Sequence, residues 1–83
     1  MSAAVLPFPR VRDRNFLTRH ATRMADLEQA TAEKHLANQL RIQAETMARR
    51  GIAPDLIARE VRSLELAIRG VLWRLVLSGE AGA

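Results

Sequence analysis

The chain of 83 residues is long enough for one small domain with a modest core, and it has no cysteine, which excludes disulfides, thiolate metal ligation and cysteine nucleophiles. Its net charge of +4 is confined to the first 23 residues, where five arginines face Asp13 alone; from Met24 onward eight basic and eight acidic side chains cancel. Such asymmetry is compatible with an anionic partner, but the favoured reading is that the arginines keep a partly apolar segment in solution.

Residues 1–12 read as an extended basic arm. Pro7 and Pro9 remove backbone donors and disfavour helical geometry at Leu6 and Phe8. Arg10, Arg12 and Arg14 follow at alternate positions. No long apolar run of a signal peptide precedes them, and the most apolar stretch, Val71 to Leu77, is too short to span a bilayer and contains Arg74. The expectation is a soluble, cytoplasmic protein with no membrane partner.

Residues 13–83 read as a helical domain. Asp13 is a suitable N-cap for a first helix running to about Leu27. Its apolar face is Phe16, Leu17, Ala21, Met24 and Leu27. The pattern slips at residues 28–30, and Thr31 can cap a second helix with Glu33 in its first turn. Leu36, Leu40, Ala44 and Met47 then recur on one face. "RRGIAP" ends this helix. Arg49 and Arg50 suit the negative end of the dipole, Gly51 suits a left-handed cap, and Ile52 can fold back onto Met47.

Pro54 fits the first position of a third helix, with Asp55 in its first turn. Ile57, Val61, Leu64, Ile68, Val71 and Leu75 form a seam at alternating spacings of four and three, the strongest periodic signal in the chain. Gly79 ends it. Asp55 with Arg59, Glu45 with Arg49 and Glu65 with Arg69 are acid-to-base pairs one turn apart, each worth a few tenths of a kcal/mol. The short turn makes helices two and three an antiparallel hairpin with the seam facing helix two. On the opposite side of helix three lie Leu66, Trp73 and Leu77, with Gly70 between them. A lone hairpin leaves these uncovered. Helix one, the arm through Leu6 and Phe8, or a second copy could cover them.

The residues carry little chemistry. His20 and His35 are the only histidines, and no Glu-x-x-His pair accompanies them, so both read as structural or solvated. The glycines form no phosphate loop, and no recognised motif places a histidine and an acid near Ser2, Ser63 or Ser78. The expectation is a non-enzyme with no cofactor and no metal. Trp73 reads as core or as an interface anchor bordered by Arg59, Arg62 and Arg69. In so short a chain the two merge, because another chain can complete the core.

"VLPFPRVR", "AEKHLANQL", "RRGI", "REVRSLELAI" and "LWRLV" together resemble a family of short alphaproteobacterial proteins of unknown function, with an N-terminal FP element and a helical hairpin. The resemblance covers most of the chain and implies no activity and no functional residue.

The sequence thus predicts an all-α protein: an antiparallel helical hairpin, a shorter N-terminal helix and an extended arm, completing a bundle by dimerisation. Its expected role is a small interaction or regulatory module, self-associating through Phe8, Leu66, Trp73 and Leu77, with a protein partner also possible. A subunit of a larger assembly is not distinguished from this by the residues. The alternative is a small DNA-binding accessory protein whose nucleic-acid contacts are Arg10, Arg12, Arg14, Arg19 and Arg23.

Overall fold

Three helices follow a single turn of 3-10 helix at Arg10–Arg12 in the computed structural model, which describes residues 10–79. They are α1 (Arg14–Ala25), α2 (Gln29–Arg49) and α3 (Pro54–Ser78), with no strand among the described residues. The end of the predicted arm is therefore wound rather than extended: the Asp13 amide donates to the Arg10 carbonyl at 2.9 Å.

Each helix boundary has a local cause. Asp13 caps α1 as expected, its Oδ1 accepting the Phe16 amide at 3.0 Å. α1 stops at Ala25, two residues short of the predicted end, where the Asp26 amide turns back onto the Arg23 carbonyl. Thr31 does not cap α2. The cap position falls to Glu28, whose side chain makes no capping bond, and the helix reaches back through Gln29 and Ala30. Both are good helix formers. The Thr31 hydroxyl donates instead to Glu28 Oε1 at 3.2 Å.

At the other end of α2 the reading holds. Gly51 adopts φ 81°, and Ile52 donates its amide to the Met47 carbonyl at 3.1 Å while its side chain is buried. Pro54 opens α3 with Asp55 in its first turn, and Gly79 closes it at φ 78°.

α2 and α3 are antiparallel, as the ion pair between Glu33, early in α2, and Arg69, late in α3, requires. The core contains Phe16, Leu17, Ala21 and Met24 from α1, Ala32 and Leu36 from α2, and Leu64 and Ile68 from α3. Leu40, Val71 and Leu75 pack against it half-buried. The seam of α3 thus does not face α2 alone. α1 lies across it and makes the more extensive contact of the two. Leu17 and Thr18 of α1 line a groove together with Val71 and Leu75, and Met24, near its end, lines a cleft together with Leu72 and Val76. Burying this seam from two sides is what a chain of this size can do to exclude water from a helix of 25 residues.

The predicted surface ion pairs are partly re-sorted. Glu65–Arg69 forms at 3.2 Å and Asp55–Arg59 at 3.9 Å. Glu45 pairs with Arg41 at 3.0 Å, and Arg49 donates to the Thr46 hydroxyl instead.

Gly51 tests the hairpin turn. A Cβ there would meet no atom within 4 Å, so the cost of Gly51→Ala is purely conformational. We expect a loss of about 1–2 kcal/mol, the left-handed penalty of an L-residue, read as a lower denaturant midpoint with unchanged slope. An unchanged midpoint would contradict the turn geometry.

Candidate interaction site

With α1 spent on the seam, the opposite side of α3 has no cover among the described residues. Leu66 is 58% exposed, Trp73 63%, Val76 51% and Leu77 77%. Leu66, Gly70, Trp73 and Leu77 recur at four, three and four, so they share one side of the helix. Trp73 is therefore not core. Gly70 leaves backbone bare in the middle of the stripe, and a Cβ there would meet nothing within 4 Å. The three sequence-predicted interface residues within the described part, Leu66, Trp73 and Leu77, are brought together. Phe8 lies outside the described residues.

Beside the stripe is a cleft of about 430 Å³, floored by Met24, Leu27, Ala32 and Leu72 and edged by Trp73 and Val76. Its polar wall is the Glu33–Arg69 pair. Arg69 Nη1 donates to Glu33 Oε2 at 2.8 Å and Nη2 to Glu33 Oε1 at 2.7 Å, a two-pronged bond that orients both side chains. Arg69 Nε also reaches Glu65 Oε2 at 3.2 Å. Hydrogen bonding from Arg69 holds the Glu33 carboxyl below its ordinary value. The wall consequently stays charged at neutral pH.

The five predicted nucleic-acid arginines are not gathered into one patch. Arg10 pairs with Asp13 at 3.2 Å and sits over the Phe16 ring at 5.1 Å. Arg19 lies over the same ring at 5.9 Å, with Arg23 one turn further along. Arg12 and Arg14 border a different groove, between α1 and α3, together with Arg74. Sequence reasoning missed Arg74, because only the packing of α1 across α3 brings it to the arm.

Sequence reasoning also missed the meeting of the two histidines. His20 Nδ1 and His35 Nε2 are 3.0 Å apart, linking α1 to α2, and the His20 ring meets Phe16 edge-on at 4.6 Å. One imidazole donates and the other accepts, which requires both to be neutral or one to carry a single charge. No group of three or more potential metal ligands occurs among the described residues. Nor is any helix there long and apolar enough to cross a membrane.

A family model described as a family of unknown function, DUF6074, matches residues 1–83. The chain belongs to that family. No curated protein and no solved structure matches it. The sequence resemblance thus stands at the level of a DUF6074 protein, and the family assigns no activity to the stripe, the cleft or the groove.

The histidine contact gives this DUF6074 chain a pH dependence with a definite sign. Burial, then the neighbouring His35 and Arg19, lower the His20 pKa. The unfolded chain therefore binds a proton more readily than the folded one as pH falls below about 6.5. Stability is fully present above that value and declines on acidification through the lower folded pKa. Glu33, whose pKa is also lowered, adds to the loss only in the more acidic carboxylate range. The melting temperature should fall from pH 7 to pH 5, and His20→Gln should flatten that fall. An equally steep fall in the variant would contradict the assignment.

Proposed function

We propose that this chain is a small non-enzymatic interaction module that self-associates, and that a second copy covers the exposed side of α3. The observation that carries the reading is the stripe Leu66, Trp73, Val76 and Leu77, each more than half exposed on a helix whose other side is buried. Monomeric proteins seldom leave such a patch, on the order of several hundred Å² of contiguous apolar surface, without a use.

The shape favours a copy of the same chain. A two-fold interface joins a patch to itself, so it needs a projection and a recess side by side. Leu77 and Trp73 project, and the cleft edged by Trp73 and Val76 adjoins them. Gly70 permits two α3 helices to approach closely where they cross. The stripe alone is smaller than the roughly 800 Å² per partner of a standard interface, and Arg62, Arg69 and Glu65 supply a polar rim around it.

Sedimentation across a wide concentration range tests the proposal. The mass should rise from one chain toward two. Trp73→Ala should weaken the dimer by about 30-fold or more, the effect of an anchor worth about 2 kcal/mol. Because Trp73 is exposed in the single chain, the variant should keep its helical content and melt cooperatively. A parent protein that stays monomeric at high micromolar concentration would overturn the reading.

A further inference from the structure

We infer that the groove between α1 and α3 is a binding site for the phosphodiester backbone of a nucleic acid, with Arg12, Arg14 and Arg74 as its phosphate contacts. The groove holds about 680 Å³, and no carboxylate among the described residues lines it. Its rim takes one arginine from the 3-10 turn, one from the first residue of α1 and one from the last turns of α3. All three are exposed, and none has an ion-pair or hydrogen-bond partner among the described residues. By contrast, Arg10, Arg41, Arg59 and Arg69 are each paired with a carboxylate. A guanidinium that has no internal partner keeps its full capacity for a two-pronged bond to an external anion.

Two further features favour a row of phosphates. The contacts come from both sides of the groove, the 3-10 turn and α1 on one and α3 on the other, so the charges are spread over it rather than held on one element. The groove also lies at the N-terminus of α1, whose first turn holds no acidic residue. That end of a helix carries partial positive charge, offset here in part by the Asp13 cap. Asp13 is the nearest carboxylate in sequence, and it is held by the Phe16 amide and by Arg10, lining a separate groove with Met47 and Leu64. The site is independent of the proposed dimer contact: Trp73 and Leu77 do not line it.

The test uses the full chain and a short labelled duplex of mixed sequence, with anisotropy measured from low to moderate salt. Three phosphate contacts give a log–log salt slope of about −2.7 per bound chain, and removing one reduces its size by about 0.9. We expect Arg74→Gln to show that reduction with unchanged melting and unchanged sedimentation, and Arg19→Gln with Arg23→Gln to leave the slope as it was. The inference is overturned if the parent shows no salt-dependent binding, or if Arg74→Gln binds as the parent does. It is also overturned if the α1 pair costs as much as Arg74, which indicates diffuse attraction. Displacement of the duplex by polyglutamate at equal charge concentration overturns it in favour of an acidic protein ligand. Sedimentation reads self-association separately, so either conclusion can fail alone.

Discussion

Ile68 is fully buried in a cluster to which all three helices contribute, and its burial fixes the side of α3 on which α1 lies. α3 is apolar around more of its circumference than one partner helix can cover. The seam residues Leu64, Ile68, Val71 and Leu75 take up both α1 and α2, and the chain has no fourth helix among its described residues to place on the far side. Hydrophobic burial is proportional to area and indifferent to direction, so the larger, more continuous seam wins α1. The Trp73 stripe is what remains.

The same packing decision arranges the charges. Laying α1 across α3 brings its N-terminus, with Arg12 and Arg14, to Arg74. Arg10 and Arg19 lie over Phe16 through local contacts at the start of α1. The Glu33–Arg69 pair fixes the register of the hairpin from outside the core, at sequence separation 36. Exposed pairs of this kind add at most about 1 kcal/mol, so it acts more on geometry than on stability. The molecule thus has an apolar stripe on one side of α3 and an arginine-edged groove on its flank, both consequences of where one short helix lies.

Features governed by neighbours in sequence were legible before the structure. The Asp13 cap, the Gly51 and Gly79 ends and the Pro54 start depend on local backbone chemistry, and the periodicity of α3 marked both its buried seam and the exposed stripe opposite. Thr31 misled because a capping residue competes with the helix propensity of Gln29 and Ala30, and propensity extended the helix past it. The partner of the seam, the His20–His35 contact and the approach of Arg74 to the arm are tertiary facts. They depend on where α1 settles, which periodicity in α1 alone does not specify. The choice of Arg41 over Arg49 by Glu45 is instead local to α2, since Asn38, one turn earlier, holds the Arg41 guanidinium at 2.6 Å.

Trp73 is the sole tryptophan, and it stands in the stripe itself, so its intrinsic fluorescence reports directly on whether that side of α3 is covered. The most direct measurement is the emission maximum and iodide quenching of the unmodified chain across a dilution series. The account predicts a shielded, blue-shifted tryptophan at high concentration that becomes water-exposed and readily quenched on dilution, with no loss of helical signal. Emission that stays fully water-exposed and equally quenchable at every concentration would contradict it.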